Sequence, residues 1–378
     1  MDGRSRIAVE CLEARRLMAG GLADVAMIGA TTVDSKGVTV DYRVTGADLG
    51  RPLVLGVDRS ADATLSPDDV PVGAVTVRVG SRDANGNPAT AVGTHHLTVP
   101  IPGGLPMNPL HPYVLVVADP GTAASTRPDH TAAFRKYTIG VIIHGGVQPK
   151  SWAQGGPPWE ARMADSLRAE GYDVVIPYNW ARVSRHAGEA NKQGPRVANA
   201  IEAAAAAMPP GAPVDLQVIG HSEGASIASQ ALIRLQPTPG LNAGYVEMTL
   251  LDPHAASNNL KNKQVNTSNN LLGAIAKGEI DVFQSRAKDA TTYIPATVDD
   301  AQVYFQHTPV GIAKTNGGVY NLWGQTPVLA APDVPVRYSD ITGPGISHAG
   351  NFGVMDWYQV NVVPRLGNGP AFVTSVRR

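Results

Sequence analysis

Val214-Asp215-Leu216-Gln217-Val218-Ile219-Gly220-His221-Ser222-Glu223-Gly224 is the stretch that decides how this chain folds. An apolar run from Val214 to Ile219 reads as a strand, and Ala225 to Leu235, rich in small residues, reads as the helix that follows. Passing from strand to helix within so few residues needs a sharp turn with unusual backbone angles. Gly220 and Gly224 stand where a side chain would strike the neighbouring strand or helix, and the turn lifts the Ser222 hydroxyl above the sheet. The helix start aims its amides and dipole at developing negative charge, with the Glu223 amide as the natural donor to an oxyanion at Ser222.

The same grammar extends outward. Tyr137-Thr138-Ile139-Gly140-Val141-Ile142-Ile143 is a continuous apolar run, the form of a strand buried on both faces of a parallel sheet. A helix from about Pro158 to Glu170 and a strand from Tyr172 to Pro177 follow. An Ala-rich helix from Gly194 to Met208 is stopped by Pro209-Pro210-Gly211, and Tyr245 to Leu251 is the strand after the serine. Strands alternating with helices imply a right-handed, mostly parallel sheet covered on both faces. Late strands are expected at Val303–Gln306, Gly318–Trp323 and Val334–Tyr338, with a closing helix from Phe352 to Leu366. The polar stretch from His254 to Ala301 has the length of a functional insertion, and few of its residues suit a lipid interface.

Across Tyr137 to Arg378 the chain resembles the α/β-hydrolases of the lipase and esterase group. The resemblance implies Ser222 as nucleophile, followed in chain order by an acid and a histidine. Leu250-Leu251-Asp252-Pro253 resembles the Leu-Asp-Pro acid motif of neutral lipases and points to Asp252, with Asp299 or Asp300 as alternatives if the acid sits later. Of the histidines after Asp252, His254 is too close in sequence and His307 lies at a strand end. His348, within Gly343-Pro344-Gly345-Ile346-Ser347-His348-Ala349-Gly350, occupies the loop where this fold places its general base. His144-Gly145-Gly146 is similar to the short His-Gly-x loop of lipases and esterases, which implies the Gly146 amide as the second oxyanion donor. Val147 departs from the fuller His-Gly-Gly-Gly form, leaving the donor open by one residue. The implied reaction is double displacement through an acyl-enzyme, with no metal and no organic cofactor. Trp152, Trp159 and Trp180 either line an acyl pocket or pack between helix and sheet. The substrate implied is a soluble or polymeric ester. An amidase or peptidase of the same fold is the close alternative, and a catalytically silent adhesion protein the distant one.

From about Asp24 to Lys136 the pattern changes to short period-two runs between turn residues: Gly37–Val44, Pro52–Val57, Val75–Val79, His96–Val99 and Tyr113–Val117. These signal an antiparallel sandwich. Val57-Asp58-Arg59-Ser60-Ala61-Asp62, Asp68-Asp69-Val70-Pro71-Val72-Gly73 and Tyr113-Val114-Leu115-Val116-Val117-Ala118-Asp119-Pro120 resemble the cell-adhesion-related bacterial β-sandwich, a module of adhesion or spacing that implies contact with a cell surface or polysaccharide. Asp58, Asp62, Asp68 and Asp69 lack the fixed spacing of a calcium loop and read as turn formers.

The expected organisation is therefore a targeting-like segment over 1–20, an immunoglobulin-like sandwich over 21–136, and an α/β-hydrolase domain over 137–378 with an insertion at about 254–301. Glu10-Cys11-Leu12-Glu13-Ala14-Arg15-Arg16-Leu17-Met18 resembles the Leu-Glu-x-Arg-x-Leu-Leu element of exported planctomycete proteins, which points to export or the cell surface, the cytoplasm being the alternative. A net charge of −1 and the lack of any long Lys/Arg cluster argue against a nucleic-acid partner. No apolar run approaches the roughly 20 residues of a membrane span. The single cysteine, Cys11, excludes an intramolecular disulfide.

Overall fold

A computed structural model describes residues 22–34, 37–102, 104–122, 125, 127–146, 158–184, 188–235, 243–253, 290, 292–306, 328–343, 346 and 353–372. The export-like element with Cys11, the strand expected at Gly318–Trp323, and the insertion up to residue 289 lie outside these residues, while the end of the insertion carries a short strand at Tyr293–Ile294. The chain divides into two compact units, Met1–Pro106 with His111–Lys136, and Met107–Leu110 with Tyr137–Arg378.

The first unit contains β1 (Asp24–Asp34), β2 (Gly37–Thr45), β3 (Leu53–Ser60), β4 (Val70–Val77), β5 (Gly93–Pro100), β6 (Tyr113–Ala118) and β7 (Thr131–Arg135). Every pairing is antiparallel, in two sheets ordered β1-β2-β5 and β4-β3-β6-β7. Alternate residues of both sheets, among them Val38, Val40 and Tyr42 of β2 and Leu53, Leu55 and Val57 of β3, fill one core. The sequence pattern misses β1 and β7, whose Gly, Ala and Thr residues blur the alternation. It also starts β4 late. Val70 and Pro71 pair with Arg59 and Asp58 beside a bulge, and β4 is an edge strand, where a proline costs no ladder bond. Asp62 Oδ1 accepts the Thr64 N–H at 2.7 Å and Asp69 Oδ2 the Ser66 N–H at 2.7 Å, the work of turn carboxylates. Among the described residues no group of three or more His, Cys, Asp or Glu side chains is placed to hold a metal.

The second unit contains β8 (Tyr137–Ile143), α1 (Pro158–Ala169), β9 (Val174–Tyr178), α2 (Glu189–Ala206), β10 (Val214–His221), α3 (Gly224–Leu235), β11 (Ala243–Leu251), β12 (Tyr293–Ile294), β13 (Asp300–Phe305), β14 (Leu329–Ala330), β15 (Val336–Asp340) and α4 (Val354–Asn361). Six strands form one sheet, β15-β13-β11-β10-β8-β9, parallel at every pairing, while β12 and β14 pair separately. Residues of α2 and α3 pack with Ile139, Val141, Val218 and Met248 on one face. Residues of α1 and α4 pack with Ile142, Ile219, Leu251 and Tyr304 on the other. The architecture is α/β, with helices on both faces of a parallel sheet. Among the described residues no helix is long and apolar enough to cross a membrane.

Two helix boundaries differ from expectation for local reasons. α2 starts at Glu189 rather than Gly194 and carries Pro195 inside it. Gly194 lies directly against Gln230 of α3, so this turn is fixed by helix–helix packing that outweighs the proline's missing donor. The closing helix ends at Asn361, and a 3-10 turn over Val363–Asn368 begins around Pro364. Met107 is fully buried in this unit, and the Leu110 N–H donates to the Gly367 carbonyl at 2.8 Å.

The α1/α4 face of the sheet carries a polar belt. Glu247 Oε1 accepts from Gln217 Nε2 at 2.8 Å, Gln302 Nε2 at 3.1 Å and Thr249 Oγ1 at 3.1 Å, while its Oε2 has no partner among the described residues. Full burial, with the Asp300 charge adding to it, raises the Glu247 carboxyl from 4.5 to about 7. The folded state thus keeps a proton that the unfolded chain releases earlier, so Glu247 costs stability as pH rises through that window. Glu247→Gln, which imitates the neutral acid, is expected to raise stability by about 1–3 kcal/mol near about pH 8 and to change it little near about pH 5. Thermal melts at both pH values check this, and an equal or lower midpoint for the variant on the alkaline side refutes it.

Candidate active site

β10 ends at His221 and α3 begins at Gly224, so Ser222 and Glu223 are the whole turn. Ser222 has φ +54°, in the left-handed region that a residue with a Cβ rarely adopts. Neighbours hold it there. Its N–H donates to the Leu251 carbonyl at 3.0 Å, its own carbonyl accepts from Ala225 N–H at 3.1 Å, and the Glu223 carbonyl accepts from Ser226 N–H at 3.1 Å. The flanking glycines are required by space: a Cβ on Gly220 would lie 2.8 Å from the Gly224 carbonyl oxygen, and one on Gly224 would lie 2.5 Å from that of Ile143.

β8 hands over at Ile143 to His144-Gly145-Gly146. A Cβ on Gly145 would stand 2.8 Å from Ser222 Cβ and 3.3 Å from its Oγ, so the loop backbone lies against the serine. His144 is fully buried, and that burial holds its imidazole down to about 4, hence neutral. Its Nε2 accepts the Trp180 N–H at 3.1 Å, which leaves Nδ1 to donate to the Gly145 carbonyl at 2.6 Å. The Trp180 indole N–H donates to the His144 carbonyl at 2.8 Å, and the two rings stack at 5.5 Å. Because a trans peptide sets C=O and N–H on opposite sides, the Gly145 carbonyl held by His144 turns the Gly146 N–H the other way.

Glu160, in the first turn of α1, accepts the His144 N–H at 3.1 Å, and burial pushes its carboxyl up to about 9. It therefore stands beside this loop as a neutral acid at neutral pH. Glu160 is not among the candidates its sequence context suggests, yet it carries a signal: it shares with Met163, Ala164 and Leu167 the helical spacing of the buried stripe.

Asp252 follows β11, at the same sheet edge as Ser222, and Ser222 bonds to the residue just before it. It is fully buried with φ +44°; its N–H donates to the Tyr304 carbonyl at 2.6 Å and its Oδ2 accepts from Gln306 Nε2 at 2.8 Å. Gln306, at the end of an expected strand, carries no sign of this role in the sequence. The alternatives stand elsewhere. Asp299 Oδ2 accepts the Val246 N–H at 2.8 Å near the start of β11, and Asp300 opens β13 in an ion pair with Arg337. Both are at the amino edge of the sheet, about 13 Å of strand from the edge that carries Ser222. His348, His254, His307 and Trp152 lie outside the described residues. Trp159 is buried in the α1 core and meets the His221 ring in a T-shaped contact, ring centroids 6.0 Å apart.

No protein-family model matches the sequence, and no curated protein matches it. Among solved structures the chain is similar to the NocB thioesterase domain of the nocardicin cluster, at 14% identity over 56% of this chain and 84% of that one, TM-score 0.27. It is also similar to the RedJ thioesterase of prodiginine biosynthesis in Streptomyces coelicolor, at 12% identity over 61% and 85%, TM-score 0.32. A third likeness is to a mutant of the rice cell wall degrading esterase LipA of Xanthomonas oryzae, at 10% identity over 92% and 97%, TM-score 0.29. At these scores the likenesses carry no weight for the site, which stands on the chain's own geometry.

Proposed function

We propose that the second unit is a serine hydrolase that cleaves carboxylic esters through an acyl-enzyme on Ser222. The observation that carries this reading is the elbow itself: a serine at φ +54° between two glycines that tolerate no side chain, with the Gly145 backbone packed against it. Strained backbone of this kind persists where surrounding structure over-determines it, and it clusters at reactive residues.

In the proposed reaction the Ser222 hydroxyl attacks the ester carbonyl carbon while His348 takes its proton. Asp252 stabilises the resulting imidazolium. The oxyanion of the tetrahedral intermediate accepts hydrogen bonds from the Glu223 and Gly146 amides, and collapse expels the alcohol, which receives the proton from His348. Water, deprotonated by His348, then attacks the acyl-enzyme and frees Ser222. The support for Asp252 is its place at the same sheet edge and its anchoring by Gln306; the support for His348 is its position in the chain. Neutral Glu160 beneath the loop spares the oxyanion a neighbouring negative charge at neutral pH. The sandwich, on the strength of its sequence resemblance, serves as a spacer or adhesion module on an exported protein.

The test is turnover of p-nitrophenyl acetate, butyrate and octanoate beside the matching anilides, with Asp252→Asn and His348→Ala as variants. Ester turnover is expected, falling by about a thousandfold or more in His348→Ala and by a comparable factor in Asp252→Asn. Anilide turnover without ester turnover would make the enzyme an amidase, and activity on neither class would refute the hydrolase reading.

A further inference from the structure

At the carboxyl edge of β9 the chain turns through Asn179 and Trp180 and lines, with the first turns of α2, a half-open cavity of about 310 Å³. Trp180 is part of its wall, the same Trp180 whose N–H groups hold His144 beside Ser222. In the sheet order β9 is separated from β10, which carries Ser222, by β8 alone. Two strand spacings, about 10 Å, separate Tyr178 at the end of β9 and in the cavity wall from Gly220 at the end of β10.

The cavity is cationic. Arg182 and Arg196 both line it, both are exposed, and neither is within ion-pair distance of a carboxylate among the described residues. Its polar side chains are already committed. The Tyr178 hydroxyl donates to Gln193 Oε1 at 2.7 Å, where Arg196 Nη1 also reaches at 3.4 Å, and Gln193 Nε2 donates to Glu189 Oε2 at 3.2 Å. Glu189, the acidic group of this turn, is itself neutralised by Lys192 at 2.7 Å. Arg196, which also lies in the field of Glu189, and Arg182 thus give the hollow a net positive charge, and the guanidinium is the side chain whose planar donors match a carboxylate.

We propose that this cavity binds a carboxylate carried by the substrate about 10 Å from the ester carbonyl, so that the preferred substrates are acid-terminated esters. The inference rests on Ser222 being the nucleophile, and the test separates the two. The p-nitrophenyl monoester of suberic acid is compared with p-nitrophenyl octanoate, which has the same chain length without the carboxylate. The butyrate ester of ω-hydroxyoctanoic acid places the charge on the alcohol side instead. One of the two acidic esters is expected to exceed its neutral counterpart about tenfold or more in kcat/KM, and Arg182→Gln or Arg196→Gln to lower that ratio about tenfold. An acidic-to-neutral ratio near one, or a ratio unmoved by either substitution, overturns the proposal.

Binding of monomethyl and dimethyl suberate to Ser222→Ala by calorimetry is independent of turnover. Arg-dependent preference for the monomethyl ester in a protein whose parent hydrolyses nothing would keep the anion site and discard the esterase. Absence of that preference removes the anion site whatever the parent hydrolyses.

Discussion

Ser222→Ala is expected to lower ester turnover by about ten-thousand-fold or more while the protein still folds. In the proposed reaction the hydroxyl is the attacking group, and the turn itself consists of Ser222 and Glu223 alone. Folding should survive because the bonds that hold the turn are made by backbone: Ser222 N–H to Leu251, and the Ala225 and Ser226 N–H groups to the Ser222 and Glu223 carbonyls. Alanine keeps the strain of φ +54°, and glycine would release it. Ser222→Gly is therefore expected to be about 1 kcal/mol more stable than the alanine variant and equally inactive. Burst-phase and steady-state assays with p-nitrophenyl butyrate, with denaturant melts of both variants, measure the two effects. Activity in Ser222→Ala above about a tenth of the parent's would move the nucleophile elsewhere.

Gly224→Ala is expected to be the most damaging single substitution in the elbow, costing about 3 kcal/mol or more of stability. Its Cβ would sit 2.5 Å from the Ile143 carbonyl oxygen and 2.7 Å from that of His144, two backbone atoms at the end of a fully paired strand. Neither oxygen can retreat without pulling His144 away from Trp180, so relaxation would be transmitted to the loop that faces the serine. The variant should show both a lowered urea midpoint and turnover lost out of proportion to its folded fraction. A stability within about 0.5 kcal/mol of the parent would mean that the α3–β8 contact has room for a methyl group.

The parts of this molecule legible in sequence are those whose requirement is met by neighbours along the chain. The elbow needs an apolar strand, two glycines and a helix of small residues in direct succession, and all of them are contiguous from Val214 to Leu235. The strand before Asp252 is legible for the same reason. What escaped depends on distant partners. β1 holds its place through β2, not through its own alternation, and the start of α2 is set by Gln230. Gln306 matters only because β13 runs beside β11, and Glu160 only because a folded α1 lays it under His144. The polar belt around Glu247 was invisible because Gln217, Glu247 and Gln302 look like surface positions until three strands are aligned.

The four residues Met107–Leu110 bear on how this protein can be taken apart. They precede β6, yet they complete the interior of the other unit: Met107 has no exposed surface, and Leu110 is tied to Gly367 near the far end of the chain. A fragment cut to begin at Tyr137 would open a hole under its own C-terminal turn. The second unit is not a portable cassette, and grafting it onto a different carrier would have to bring along a short stretch whose sequence neighbours on both sides belong to the sandwich.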